Sequence, residues 1–334
     1  MKGQLVVETI GSVALKDNPL GDPRRREIPV YLPPSYPKQL LRRYPAIFYL
    51  PGFGSTGRSA AQTHPWKENP IERLDRLIAE KKAPEMILVI PDCFTLYGGS
   101  QYMDSPGTGR YEEHLTAELV PYIDARYRTA GARARAVAGK SSGGFGALRL
   151  AMRHPEIFPH AACHSGDMLF EVGYARDFAK CVCALARFGG SFARFLNDFK
   201  AARAKDRFPH ELVNAAAMAA CYSPNPRSPL GFDLPFDEHT GEMRPKVWRR
   251  WKRHDPLELA RACRAGLRKL RTIYFDCGAR DEFFLHLGAR ALSRRLKELG
   301  VRHGYEEHDG GHFDTGERLD RSFSLLGRAM ARGL

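Results

Sequence analysis

Short apolar runs and amphipathic stretches alternate along most of the chain. PAIFYL (45–50) and MILVI (86–90) are uninterrupted apolar runs, the pattern of strands buried on both faces. Between them, IERLDRLIAEKK (71–82) sets Ile71, Leu74, Leu77 and Ile78 at helical spacing. YEEHLTAELVPYIDARY (111–127) puts Leu115, Leu119 and Ile123 on one helical face, and Pro121 predicts a kink. RARAVAG (133–139) reads as a strand and FGALRLAMRH (145–154) as a helix ended by Pro155. Downstream, TIYFDCG (272–278) is a strand, LGARALSRRLKELG (287–300) a helix, and GYEEHDGGH (304–312) a last strand and loop. Upstream, REIPVYLPPSYP (26–37) opens as a β-type run and ends in a proline-rich turn.

Strands alternating with helices predict an α/β fold: a mostly parallel central sheet with helices on both faces. In such sheets chemistry gathers at the carboxyl ends of strands. The rhythm fails between about 167 and 265, a segment holding Trp248 and Trp251 and many aromatics and prolines. A structureless loop of that length is unusual. The expected organisation is therefore a hydrolase-type core, 1–166 and 266–334, with 167–265 as a cap-like insertion over the site.

One strand-to-helix junction carries chemistry. In Gly139-Lys140-Ser141-Ser142-Gly143, Ser141 alone has glycine two before and two after it, the G-x-S-x-G nucleophile elbow. The alternative is a plain Gly/Ser turn, but the elbow needs a strand before and a helix after, and both are predicted. A serine hydroxyl needs a base, and in this arrangement the chain order is Ser, acid, His. His312, in HDGGHFDTG, follows the last strand, whereas His303 and His308 fall before or within it. YFDCGARDEFF offers Asp281 as the acid, with Asp276 and Glu282 as alternatives. Ser142 would give one backbone N–H to the oxyanion hole. LPGFGSTG would give the other through Phe53, with Gly54 the alternative. Gly54, Tyr97, Tyr102, Trp248 and Trp251 are candidate pocket residues.

Taken together, VYLPPSY, FYLPGFGSTG, RYEEHLTAELVPYIDARYRT, AGKSSGGFGAL, DCGARDEFF and GGH resemble the esterase D / enterochelin esterase-like branch of the α/β-hydrolase superfamily. That branch also includes feruloyl esterases and mycolyltransferases. The resemblance spans most of 26–312. It implies the α/β-hydrolase fold, Ser141 as nucleophile, Asp281 as acid, His312 as base, and Phe53 and Ser142 as oxyanion donors. Two departures stand out: Pro51-Gly52 where relatives often have His-Gly, and Ser142 where methionine is common. The 167–265 insertion matches no subfamily.

Composition changes this little. The net charge of +14 is mostly arginine and is spread along the chain, without the spacings of a nucleic-acid-binding motif. It favours an anionic ester, such as a catecholate siderophore, over a nucleic-acid partner; Phe53, Trp248 and Trp251 favour an aromatic one. Seven scattered cysteines read as reduced thiols. No apolar run approaches the roughly 20 residues of a membrane span, residues 1–15 do not read as a signal peptide, and a cytoplasmic location is expected. No metal or organic cofactor is implied. The expected activity is serine carboxylic-ester hydrolysis through an acyl-enzyme. Acyl transfer by the same triad, siderophore ester hydrolysis and a non-catalytic basic binding protein are the alternatives.

Overall fold

The apolar runs become the centre of one eight-stranded sheet. The structure, a computed structural model, describes residues 1–332. Its strands are β1 (Gln4–Gly11), β2 (Arg25–Leu32), β3 (Ala46–Leu50), β4 (Ile87–Val89), β5 (Arg135–Lys140), β6 (His160–His164), β7 (Thr272–Gly278) and β8 (Gly304–His308). In space the order is β1-β2-β4-β3-β5-β6-β7-β8. β2 runs antiparallel to β1 and β4, and every other pairing is parallel. This is the mostly parallel sheet of the α/β-hydrolase fold.

Pleating explains why the central runs are apolar throughout. In β3, Ala46, Phe48 and Leu50 enter a core beneath the helical run 111–126, while Ile47 and Tyr49 enter one beneath Pro70–Ala79 and Arg318–Ala331. Successive side chains point to opposite faces, so a strand covered on both sides has no polar position to offer. Leu115, Leu119 and Ile123 are all buried as their spacing predicts. The irregularity near Pro121 is a π-turn over His114–Leu119, between α-helical pieces Tyr111–Glu113 and Val120–Arg126. A proline has no N–H to continue the regular ladder, which is one known cause of such bulges. Sequence patterning did not anticipate β1, β6 or the helix Arg318–Ala331.

The segment 167–265 is helical. Its longer helices are Phe178–Leu185, Phe192–Ala201, His210–Tyr222, Pro245–Lys252 and Pro256–Ala262. The first four share an apolar cluster with Tyr97, Met103 and Phe145, in which Phe178, Phe192, Phe195, Trp248 and Trp251 are buried together, while Pro256–Ala262 packs with Leu148 and Leu292. Phe178 meets Trp248 edge-on at 5.6 Å, and the two indoles lie 6.0 Å apart. Trp251 Nε1 donates to Ser223 Oγ at 2.8 Å, so this large side chain is both buried and satisfied.

Candidate active site

Ser141 stands between β5 and the helix Ser142–Arg153 with φ 57° and ψ −126°, outside the regions L-residues normally occupy. Backbone bonds lock it there: its N–H donates to His164 O of β6, and its carbonyl accepts from Phe145 N–H, each at 2.9 Å. The flanking glycines are needed for space. A Cβ on Gly143 would lie 1.9 Å from Leu50 O, and one on Gly139 would lie 2.3 Å from Gly143 O. The G-x-S-x-G spacing thus reflects three backbone segments meeting where no side chain fits. Strain held by its surroundings at a half-buried serine that lines a cavity is a common signature of a functional residue.

His312 follows β8 and is buried, with Nδ1 2.8 Å from Asp281 Oδ2. Asp281 follows β7, and its other oxygen accepts from Phe283 N–H at 2.9 Å and Leu285 N–H at 3.4 Å. Burial pushes the Asp281 carboxyl up. The hydrogen bond and charge of His312, helped by those two backbone donors, outweigh burial and hold it below its ordinary range. The alternatives are employed elsewhere. Asp276 bonds His164 at 2.8 Å, Tyr274 at 2.8 Å and Arg318 at 3.0 Å. Glu282 accepts the His312 backbone N–H at 2.6 Å and so fixes the loop rather than the imidazole. His303 is pinned between Ser293 Oγ and Val301 O, each 2.9 Å away. Among the described residues no hydrogen bond closes Ser141 Oγ to His312, a link often loose in unliganded enzymes.

The loop after β3 separates the two oxyanion candidates. Gly54 N–H donates to Gly98 O at 2.8 Å and is not free to meet a substrate. Phe53 precedes it, and its ring packs so closely on Gly98 that a Cβ there would lie 2.9 Å from it. Tyr102 hydroxyl donates to Pro51 O, tying the start of the loop down from below. Ser142 opens the helix after Ser141, where backbone N–H groups lack helical partners.

These elements surround a cavity of about 370 Å³ lined by Ser141, Ser142, His312 and Phe53 together. Lys140, Tyr174, Phe283 and Phe313 also line it. Asp167, Asp177, His210 and Asn214 come to it from the segment 167–265. None of the five proposed pocket residues lines it. Tyr97, Trp248 and Trp251 belong to the apolar cluster that the helices of 178–252 share with the rest of the chain, and Tyr102 lies beneath the Pro51 loop. Aromatic side chains bury more area inside a core than at a cavity rim, and that is where these rings went. Gly54 is exposed, on the same loop as Phe53 but absent from the lining. Of the residues missed, His210 and Asn214 stand four apart on one helix face, a spacing visible in the sequence. Phe283 and Phe313 directly adjoin triad candidates in sequence. Asp167 gave no signal beyond its place after β6. Among the described residues, no group of three or more His, Cys, Asp or Glu side chains could hold a metal ion, and no helix is long and apolar enough to cross a membrane.

Comparison with known proteins agrees with the fold. An esterase of Mycobacterium tuberculosis is 37% identical over 103 residues, covering 29% of this chain and 21% of that protein, so the match spans about a fifth of its length. A ferulic acid esterase superposes with a TM-score of 0.63 at 22% identity, covering 98% of both chains. An S-formylglutathione hydrolase from Agrobacterium tumefaciens gives 0.58 at 16% identity, covering 98% of this chain and 96% of its own. A fluorophosphonate-binding serine hydrolase of Staphylococcus aureus gives 0.60 at 15% identity, covering 97% and 98%. The model of the family described as "Putative esterase" matches residues 22–316, nearly the whole chain, and the chain belongs to that family.

Proposed function

We propose that the chain is a serine carboxylic-ester hydrolase working through an acyl-enzyme on Ser141. One observation carries this reading: a serine held at φ 57° by backbone hydrogen bonds to His164 and Phe145 shares a cavity with a histidine bonded to a buried aspartate. Ser141 Oγ attacks the ester carbonyl carbon while His312 Nε2 takes its proton. Asp281 holds the imidazole so that Nδ1 carries the other proton, and it stabilises the imidazolium that forms. The carbonyl oxygen becomes an oxyanion that Phe53 and Ser142 N–H groups receive. Collapse breaks the bond to the alcohol, which leaves with the proton from His312. A water molecule, deprotonated by His312, then attacks the acyl carbon and releases the acid and free Ser141.

The substrate is a small ester, with Phe53, Tyr174, Phe283 and Phe313 offering apolar walls. The segment 167–265 acts as a cap on the α/β core, since it supplies Tyr174, Asp177, His210 and Asn214 to the cavity and packs its aromatic rings against Tyr97 and Phe145 of that core.

The test is turnover of p-nitrophenyl acetate and butyrate by wild type and Ser141→Ala, with intact mass after a fluorophosphonate probe. Turnover and one adduct in wild type, both absent in the variant, are the expected result. Adduct and turnover persisting in Ser141→Ala would refute the assignment.

A further inference from the structure

We infer that this cavity takes esters carrying a free carboxylate, and that the Lys140 ammonium recognises that group. The inference rests on the esterase reading and names its substrate class. Lys140 occupies the variable position immediately before Ser141 in the elbow, at the end of β5. Its side chain is half-buried, lines the cavity, and places Nζ 5.4 Å from the centre of the Phe313 ring.

Every carboxylate near Lys140 is engaged elsewhere. Asp281 is bonded to His312 at 2.8 Å. Glu282 accepts the His312 backbone N–H at 2.6 Å, and Asp314 accepts that of Gly311 at 2.8 Å. On the cavity wall, Asp177 is paired with Lys180 at 2.8 Å. Asp167 lies against Gln101 and Ser142, each at 3.4 Å, and burial raises its carboxyl toward the neutral form. Among the described residues no carboxylate lies within ion-pair distance of Lys140. Burial presses the ammonium below its usual range; the charges of Asp281, Asp314 and Glu282 oppose that without cancelling it, and the charge of nearby Lys67 adds to it.

A half-buried cation without a counter-ion is poorly stabilised, and an anion brought to it gains more than at a fully hydrated surface lysine. A carboxylate on the substrate would supply the missing partner within reach of the nucleophile, with the charge of nearby Lys67 adding to the positive field. The surrounding aromatic rings leave the rest of the ester apolar. A carboxylate can enter on the acyl or the alcohol side, and the recognising chemistry is the same.

The experiment measures kcat/KM on two matched pairs. Mono-4-nitrophenyl succinate against 4-nitrophenyl butyrate places the charge on the acyl side, and 4-acetoxybenzoate against its methyl ester places it on the alcohol side. Wild type is expected to favour the acid of one pair at least tenfold. Lys140→Met should erase that preference, chiefly through KM, and Lys140→Arg should keep most of it. Turnover of neutral esters with no preference for either acid overturns the inference and leaves the esterase reading standing. A preference that survives Lys140→Met overturns the assignment to Lys140. Absence of both turnover and a fluorophosphonate adduct overturns the esterase reading and this inference with it.

Discussion

Replacing Asp281 by asparagine tests the acid assignment against its nearest rival. The carboxylate sits 2.8 Å from His312 Nδ1 and is 2% exposed. In the proposed mechanism His312 takes the Ser141 proton, and an ion pair then forms at that distance. With an effective dielectric constant near 20, its attraction is about 6 kcal/mol. The asparagine keeps a neutral hydrogen bond worth about 1 kcal/mol. Its oxygen is also drawn to the Phe283 and Leu285 N–H groups, which leaves the amide nitrogen facing the imidazole and favours the tautomer that cannot act as base. A net loss of about 5 kcal/mol is a fall in kcat of roughly 10³–10⁴-fold. Asp276→Asn is the control. It disturbs a buried carboxylate that serves His164, Tyr274 and Arg318, so its cost of about 3–5 kcal/mol should appear in unfolding and not in kcat of the folded fraction. The assay is burst and steady-state hydrolysis of p-nitrophenyl acetate, with thermal unfolding measured on both variants. If Asp281→Asn keeps kcat within fivefold while folded Asp276→Asn loses three orders of magnitude, the assignment is wrong.

Tyr102→Phe leaves Pro51 O without its buried donor, at about 1–3 kcal/mol; kcat and the rate of fluorophosphonate labelling should fall together by 5- to 150-fold, and unchanged labelling would refute the loop-anchoring role. Gly143→Ala forces a Cβ to within 1.9 Å of Leu50 O, so the variant should unfold at markedly lower temperature or fail to accumulate, and a wild-type Tm would contradict the packing argument. Acid sensitivity should centre partly on Glu112. Burial raises its carboxyl, but the His154 hydrogen bond and the Arg149 and Arg153 charges outweigh that and lower it to about 2. A depressed folded value means stability present above the unfolded value of about 4.3 and lost as pH falls toward 2, up to about 3 kcal/mol. Glu112→Gln should flatten the stability-pH curve in that window, and an unchanged slope in urea titrations between pH 5 and 2.5 would count against it.

What the sequence made legible follows from where backbone geometry restricts residue type. The elbow could be read because Gly139 and Gly143 each face a carbonyl at a distance no Cβ tolerates. Among Asp276, Asp281 and Glu282 the sequence favoured Asp281, which falls in the loop beyond the strand, but it left the other two as alternatives because their partners depend on strand register. Register pairs Asp276 with His164 on the neighbouring strand and commits it there. Polar residues also hid whole elements. β6 reads HAACH, yet His160 bonds Thr272 and His164 bonds Asp276 and Ser322, so its polar ends are satisfied inside the sheet. β1 is an edge strand whose Glu8 interrupts the pattern, and that carboxylate is taken up by Tyr122, Arg126 and Tyr127. The last helix was available in principle: Leu319, Phe323, Leu326 and Met330 keep helical spacing and are all buried.

The aromatic residues show how the same side chain supports two readings until its depth is known. Trp248 and Trp251 are three apart on one helix, the spacing of a shared buried face, and that spacing outweighs any argument from aromatic content alone. Tyr102 carries this furthest. Related loops often begin with a histidine where this chain has Pro51, and proline brings no side-chain donor to steady the turn. The support comes instead from beneath, through the Tyr102 hydroxyl on the Pro51 carbonyl. The position demands unusual backbone: Gln101 and Tyr102 are consecutive non-glycine residues with φ of 51° and 53°. The helix after Ser141 must also come close, and a Cβ on Gly146 would stand 2.4 Å from the Tyr102 ring. A tyrosine wedged between the helix after Ser141 and the Pro51 loop couples the placement of Ser141 to that of Phe53. This chain thus positions the two halves of its candidate oxyanion hole from one buried ring.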